Sequence, residues 1–186
     1  MFPQDFVVLA VLSRSLALME GFRLVVENRN LLCAAPLIRL QIDSVMRLYA
    51  FSLVEDPKPL LVALLEDKPL NRLTSREGNS LTDRYLHQEL SKVYPWVDSV
   101  YRATSSFIHL SAPHMRAPFT GVKDEFRTIR FELGSGAGRQ WTEAELNEAV
   151  EAFTAATRAL IELSHDWTLC KRQVAAERES AKVGTK

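Results

Sequence analysis

Apolar residues recur at three- and four-residue steps through most of this chain, and this spacing constrains the fold more than any other feature of its sequence. An α-helix turns about 100° per residue, so residues at such steps share one helical face. The pattern is clear from Gln4 to about Asn28 and predicts a first long helix there. Its apolar positions are Phe6, Leu9, Ala10, Leu12, Leu16, Met19, Phe22 and Val26.

The same spacing, together with helix start and stop signals, predicts five more helices. They run over residues 31–54, 59–66, 81–93, 95 to about 110, and 142 to about 177. Capping boxes support two of these starts, with Ser80 paired to Asp83 and Thr142 paired to Glu145. Residues 126–133 instead alternate with a period of two, which is typical of a strand, and residues 118–122 are its candidate partner.

These elements predict an all-α bundle of four to five main helices, with a small β-hairpin or strand inserted before the last helix. The chain has 186 residues, which is enough to bury a substantial core within one domain. We assign residues 1–176 to that domain. The polar residues 177–186 are expected to form a frayed or disordered C-terminal tail.

The charges of the chain balance, with 23 lysines and arginines against 23 aspartates and glutamates. This argues against a protein that grips a long stretch of nucleic-acid backbone, because such binding needs many uncompensated cations. A small, locally basic site remains compatible with this balance of charges. No uncharged apolar stretch approaches the roughly 20 residues that span a bilayer. We therefore expect no membrane association and a cytoplasmic location.

The residues that carry candidate chemistry are few. The two cysteines, Cys33 and Cys170, are too few and too far apart for a disulfide framework or a metal cluster, and we expect both in apolar surroundings. His109 and His114 are five residues apart and lack the spacing of a zinc site. The glycine run 134–138 is followed by Arg139 rather than by the lysine of a phosphate-binding loop, which favours a connector. We expect neither a metal nor a cofactor.

The segment from Pro95 to His114 is the most informative one for function. On a helix, Asp98, Arg102, Ser105 or Ser106, and His109 would lie along one stripe, since the seven steps from Arg102 to His109 fall only ~20° short of two turns. The opposite stripe is mostly apolar and is expected to be buried. A cation, a hydroxyl and an imidazole on one face are typical of a phosphate-handling surface. An ordinary amphipathic helix produces the same pattern.

Charged residues on the second helix have two interpretations. Arg39 and Asp43 are four residues apart, which is the spacing of a local salt bridge on a solvated helix face. Alternatively, their row faces Asp98, Arg102 and His109 and forms a buried polar network, in which buried charges must be paired. Asp98 and Arg102 are also four residues apart, so a local ion pair is expected between them.

The segment around Arg102 and His109 resembles the motif of the HEPN superfamily, in which an arginine is followed by four to six residues and a histidine. It is similar to a segment of uncharacterised bacterial HEPN-like proteins, Y-x-x-x-S-x-[FY]-x-H-x-S, which Tyr101, Ser105, Phe107, His109 and Ser111 follow here. The resemblance implies a bundle of four to five helices that is often dimeric. It also implies a metal-independent endoribonuclease of toxin–antitoxin or antiphage defence systems, with RNA as substrate and an antitoxin protein as a possible partner.

The resemblance also assigns roles to residues. His109 would be the general base or acid at the ribose 2′-hydroxyl, and Arg102 would hold the scissile phosphate. Asp98, Ser105, Ser106, Arg39 and Asp43 would be supporting residues. On one helix, Arg102 and His109 would be about 10 Å apart along the axis, so we expect a two-fold homodimer with the motif at its seam.

Two other functions stay open at this point. Family nucleases usually place a polar residue directly after the arginine, and this chain has Ala103 there. That departure favours a non-catalytic HEPN-like binding or dimerisation module, in which His109 is only a polar link at a helix end. A helical hydrolase of unrelated chemistry is a third hypothesis.

Overall fold

The computed structural model describes residues 2–109, 115, 119–123, 128–131 and 141–183, and six α-helices account for most of them. The helices are α1 (Pro3–Glu27), α2 (Leu31–Leu53), α3 (Pro57–Leu65), α4 (Asp83–Val93), α5 (Trp96–Ser105) and α6 (Glu143–Val183). A short 3-10 turn, Leu70–Arg72, lies between α3 and α4. The predicted all-α helical bundle is confirmed.

Two short strands lie between α5 and α6. Strand β1 (Phe119–Lys123) and strand β2 (Thr128–Phe131) pair antiparallel, with Phe119 opposite Phe131 and Lys123 opposite Thr128. They overlap the two ranges in which the sequence places a strand and its candidate partner. Residues 124–127 and the glycine run 134–138 lie outside the described residues, so the connection of the predicted hairpin stays a prediction.

Helix α2 lies at the centre of the bundle and packs against α1, α4, α5 and α6. Its position follows from its sequence, because apolar or small residues occupy most of its circumference and a helix of that kind is stable only when surrounded. Its buried residues are Leu31, Ala34, Ala35, Ile38, Gln41, Ile42, Ser44, Val45, Met46, Leu48, Ala50 and Phe51. Asn30 caps the start of this helix, and its side chain accepts a hydrogen bond from the amide of Cys33.

Helices α1 and α6 run antiparallel, which contacts at both ends establish. Arg29, just past the end of α1, pairs with Glu143 at the start of α6. At the other end, Asp5 accepts hydrogen bonds from Trp167 Nε1 and Lys171 Nζ, each at 2.9 Å. Helix α6 then continues past the beginning of α1 to Val183. The predicted helix end near residue 177 is therefore wrong, because no proline or glycine stops the helix there.

The two predicted capping boxes differ in outcome. At α6, Thr142 Oγ1 accepts from the amide of Glu145 and the Glu145 carboxylate accepts from the amide of Thr142, as predicted. At α4, the cap is Thr82, whose hydroxyl accepts from the amide of Tyr85 at 3.1 Å. The Ser80 hydroxyl instead donates to the carbonyl of Asn71. The predicted cap at Ser80 is wrong, because the side chain of Ser80 is engaged in the preceding turn.

Helix α1 confirms the predicted helix but not a single apolar face. Val7, Val11 and Phe22 are buried, while Phe6, Leu9, Leu16 and Met19 of the predicted apolar set are exposed. The helix is apolar on both sides, so spacing alone does not show which side faces the core.

Two smaller findings complete the fold. Cys33 and Cys170 are free and exposed, so the expectation of apolar surroundings for both is wrong. None of the helices within the described ranges is both long and apolar enough to cross a membrane.

Candidate functional site

Helix α5 positions the residues that the sequence singles out. It packs against α2 and α4 and buries Val97 and Thr104. Asp98 lies in its first turn and Arg102 in its last turn, so each charge has the sign that the helix dipole favours at that end. The remaining face of α5 points outward, and both Arg102 and Ala103 are exposed.

The prediction that α5 continues to about residue 110 is wrong. The helix ends at Ser105, and the amide of Phe107 instead bonds three residues back, to the carbonyl of Thr104 at 3.0 Å. Three consecutive hydroxyls explain this end: Thr104, Ser105 and Ser106 donate to the carbonyls of Val100, Tyr101 and Ala103. Hydroxyls that bond to nearby carbonyls compete with the helical ladder and weaken it.

His109 consequently lies beyond the helix, in the turn that follows α5, and it is exposed. It does not share a helical stripe with Arg102. The calculated axial separation of about 10 Å, which rests on an unbroken helix, therefore no longer applies to this pair. The hydroxyls of Ser105 and Ser106, predicted as supporting groups, bond to backbone carbonyls of α5 instead.

Asp98 and Arg102 form the predicted local ion pair. Arg102 Nε donates to Asp98 Oδ1 at 3.1 Å, with 76% of the Arg102 side chain and 43% of the Asp98 side chain exposed. An exposed pair of this kind contributes about 0–1 kcal/mol to stability. The pair therefore matters little for folding, and it places a guanidinium beside a carboxylate at the surface of α5.

Arg39 of α2 faces α5 rather than its neighbour Asp43. Its Nη2 donates to the hydroxyl of Tyr101 at 2.6 Å, and its guanidinium carbon lies 3.9 Å from the centroid of the Tyr101 ring. The cation therefore gains both a hydrogen bond and a cation–π contact. Arg39 therefore reaches α5 through Tyr101, and not through Asp98, Arg102 or His109 as the network interpretation expects.

Asp43 belongs to a different network. It pairs with Arg14 of α1 at 3.1 Å and with Arg47 of α2 at 3.0 Å. Arg47 also reaches Asp83 of α4 at 2.7 Å. This chain of charges ties α1, α2 and α4 together, so Asp43 has a structural role here. The sequence does not predict it, because Arg14 and Asp83 are far from Asp43 along the chain.

His87 of α4 joins the site although the sequence does not single it out. Its ring stacks on Tyr101, with centroids 4.2 Å apart, and only 8% of the residue is exposed. Its Nε2 lies 3.4 Å from Asp98 Oδ1 but without the alignment of a hydrogen bond, and no described residue satisfies it. The position is buried only because α5 packs over α4.

The surroundings of His87 favour its neutral form. Burial lowers its pKa from the ordinary 6.5, the positive charges of Arg102 and Arg39 lower it further, and Asp98 opposes them. The imidazole therefore carries no charge near neutral pH. The site thus consists of two guanidinium groups, one carboxylate, one phenol and one neutral imidazole, drawn from α2, α4 and α5.

Within the parts of the chain that the structure describes, no group of three or more histidines, cysteines or carboxylates could hold a metal ion. His114 lies outside those parts.

Comparison with known proteins identifies no family for this chain. No protein-family model matches the sequence, and neither a curated protein nor a solved structure shows significant similarity to it. The resemblance to HEPN-like proteins consequently rests on the sequence of residues 101–111.

Proposed function

We propose that this chain is a metal-independent endoribonuclease of the HEPN type. One observation carries the proposal. The side chain of Arg102 is 76% exposed and uses only its Nε, toward Asp98, while its two terminal amino groups make no hydrogen bond to any described residue. A guanidinium held in this way presents its free fork to solvent, and that fork matches two oxygens of a phosphate.

Arg102 would bind the scissile phosphate and stabilise the negative charge that grows on it during the reaction. Asp98 supports this role by fixing the guanidinium from the side of Nε. Behind Asp98, the Tyr101 ring is held between α2 and α4 through Arg39 and His87. Arg39 also adds a second positive charge to this side of the bundle.

His109 would act on the ribose. In the proposed reaction, the 2′-oxygen forms a bond to phosphorus and the bond from phosphorus to the 5′-oxygen breaks. His109 takes the proton of the 2′-hydroxyl, and the departing 5′-oxygen is protonated by water. The products are a 2′,3′-cyclic phosphate and a 5′-hydroxyl end. A histidine suits this step because its unperturbed pKa lies near neutral pH.

A second candidate is a non-catalytic binding module, and two observations favour it. The hydroxyls of Ser105 and Ser106 are used by backbone carbonyls, so neither is available as a polar group at the phosphate in this conformation. Ala103 supplies no polar group either. In this function the same arginine surface would bind RNA or an acidic partner protein without cleaving it.

The test is RNA cleavage in the presence of a chelator, comparing the wild type with Arg102→Ala and His109→Ala. Arg23→Ala is the matched control, since Arg23 also forms an exposed ion pair four residues along a helix, with Glu27. The proposal expects 2′,3′-cyclic ends from the wild type and the control. It expects at least a hundredfold slower cleavage from the other two variants, with unchanged helical content.

Either of two results would overturn the proposal. One is the absence of cleavage by the wild type, and the other is cleavage that survives both substitutions. Binding of RNA without cleavage, weakened in Arg102→Ala, would establish the binding module instead. A defence or toxin role in the cytoplasm, with an antitoxin protein as partner, forms part of the proposal. It predicts growth arrest on expression of the wild type only.

A further inference from the structure

A cavity of about 520 Å³ lies between α2, the end of α4 and the middle of α6, and none of the described residues that line it belongs to α5. Its lining is mostly apolar, and its exposed edge carries Asp166 and Cys170. Sites for small organic molecules have volumes of roughly 300–1,000 Å³ and are lined mainly by apolar and aromatic side chains. The cavity therefore has the size and the lining of a site for one such molecule. Its aromatic residues are Tyr49, Phe51, Tyr94 and Trp167.

Two of these aromatic rings are held in place by contacts within the protein. The hydroxyl of Tyr94 donates to the carboxylate of Glu162 at 3.0 Å. Trp167 donates through Nε1 to Asp5 at 2.9 Å, and the ring of Phe2 packs edge-on against it with the centroids 5.6 Å apart. A ligand that binds against rings already fixed loses less free energy to their ordering. Because the faces of tyrosine and tryptophan rings attract organic cations, such rings suit a positively charged ligand.

The charges around Tyr94 are negative. The pKa of Tyr94 is raised to about 12 by burial, by its hydrogen bond to Glu162 and by the negative charges of Glu162 and Asp166. Asp166 is exposed and forms no hydrogen bond or ion pair with any residue that the structure describes. Its carboxylate is therefore available to a positively charged group of a ligand.

Arg76 is the only cation among the described residues that line the cavity. Its Nε donates to the carbonyl of Val54 at 3.1 Å and lies 3.7 Å from the carboxylate of Glu55. Its backbone amide bonds to the carbonyl of Leu53 at the C-terminal end of α2, where the helix dipole is negative. These contacts compensate part of the charge of Arg76, whereas Asp166 has no cation beside it among the described residues. The uncompensated charge at the cavity is therefore negative.

The aromatic lining and the unpaired carboxylate point to the same class of ligand. We propose that this cavity binds an organic ammonium ion with an apolar body. The charged nitrogen would lie beside Asp166 and against the rings of Tyr94 and Trp167, and the apolar body would pack on Leu48 and Leu163, which also line the cavity. The inference does not rest on the ribonuclease proposal, and either can fail alone.

The first experiment compares four probes that share one apolar body and differ in charge: phenylbutylamine, phenylbutyltrimethylammonium, phenylbutanol and phenylbutyrate. Titration calorimetry at neutral pH should show that the two ammonium compounds bind at least about tenfold more tightly than the alcohol and the carboxylate. Asp166→Asn should remove most of this preference. Glu148→Gln is the matched control and should keep it, because Glu148 is exposed on the same helix but does not line this cavity.

Four results of these titrations would overturn the inference. They are the absence of binding by either ammonium compound, equal affinity for all four probes, tighter binding of phenylbutyrate, and a preference for ammonium that survives Asp166→Asn. Tighter binding of phenylbutyrate that is lost in Arg76→Gln would assign the cavity to an anionic ligand instead.

The second experiment locates the ligand in the unmodified protein, so it does not depend on the folding of any variant. Iodoacetamide alkylates exposed thiols, and mass spectrometry follows Cys33 and Cys170 separately. Bound phenylbutyltrimethylammonium should slow the alkylation of Cys170 several-fold and leave that of Cys33 unchanged, because both are exposed but only Cys170 lines the cavity. Unchanged alkylation of Cys170, or equal slowing at both cysteines, would overturn the inference.

Discussion

The imidazole of His87 stacks on the phenol ring of Tyr101, with the ring centroids 4.2 Å apart and the planes 28° from parallel. The same phenol accepts a hydrogen bond from Arg39. Tyr101 of α5 therefore contacts both α2 and α4.

Two substitutions of Tyr101 separate the contribution of its hydrogen bond to stability from that of its ring. Tyr101→Phe removes the hydrogen bond to Arg39 but keeps the ring, so we expect a loss of about 1 kcal/mol in the free energy of unfolding. Tyr101→Ala also removes the stacking and is expected to cost about 3 kcal/mol. Urea denaturation of the two variants measures both values. Equal costs for the two substitutions would show that the ring contributes nothing.

The neutral state of His87 predicts a dependence of stability on pH. Its pKa is lowered in the folded protein, so below pH 6.5 the unfolded chain binds a proton that the folded chain excludes, and the stability falls as the pH falls. The full contribution is present above pH 6.5. We expect the melting temperature to decrease between pH 7 and pH 5.

His87→Phe provides the control for this effect, since it keeps an aromatic ring and cannot titrate. Its melting temperature should change less over the same range of pH. The charged groups that act on His87 are Asp98 and Arg102 of α5 and Arg39 of α2. An identical pH profile in both proteins would assign the effect to another group.

Asp5 predicts a second transition at lower pH. Its carboxylate accepts hydrogen bonds from the amide of Phe2, from Trp167 and from Lys171, and these hold its pKa at about 2. The resulting stability is present above the ordinary pKa of 3.8 and is lost as the pH falls toward 2. Asp5→Asn should cost about 2 kcal/mol at pH 7. The difference in the free energy of unfolding between the wild type and Asp5→Asn should be smaller at pH 2.5 than at pH 7. Urea denaturation at both pH values measures it.

Arg102 should matter little for folding. Because its ion pair with Asp98 is exposed, Arg102→Ala is expected to change the free energy of unfolding by about 0.5 kcal/mol or less. Calorimetry of Arg102→Ala and of the Arg23→Ala control measures this change in the free energy of unfolding. A loss above about 2 kcal/mol would mean that Arg102 is a structural residue, and the cleavage assay would then need Arg102→Lys.

Gln41 supplies a prediction about the core. It is fully buried, its amide nitrogen donates to Ser15 at 2.6 Å and to Thr157 at 3.1 Å, and its Oε1 has no partner among the described residues. Gln41→Leu removes that unsatisfied oxygen at similar volume and should change stability by less than about 1 kcal/mol. Gln41→Ala should cost about 2–3 kcal/mol through the cavity it leaves. Thermal unfolding of the two variants measures both changes, and an equal loss of stability in both would contradict the prediction.

Local signals in the sequence predict the helices well. The observed α2, Leu31–Leu53, lies within one residue of the predicted range 31–54, and the start of α6 follows from Thr142 and Glu145. The end of α5 was predicted too late, although its cause is visible in the sequence. Three adjacent hydroxyl residues outweigh the apolar spacing of Phe107 and Ile108.

The candidate site was predictable only in part. The pair of Asp98 and Arg102 follows from spacing on one helix. The contact of Arg39 with Tyr101 joins residues 62 positions apart, and it depends on how α5 packs on α2. His87 gives no signal, because a histidine on an amphipathic helix is buried or exposed according to what covers it. Each site residue that helical spacing does not predict is positioned by packing between distant parts of the chain.

The length of α6 affects how the protein can be handled. From Glu143 to Lys171 the helix follows α1, and its last turns, up to Val183, extend past the first turn of α1 by about 18 Å. A fluorophore, an affinity tag or a surface tether fixed at that end would stand clear of α5. Protein immobilised in this way would suit tests of the proposed RNA binding, because its anchor would not obstruct Arg102.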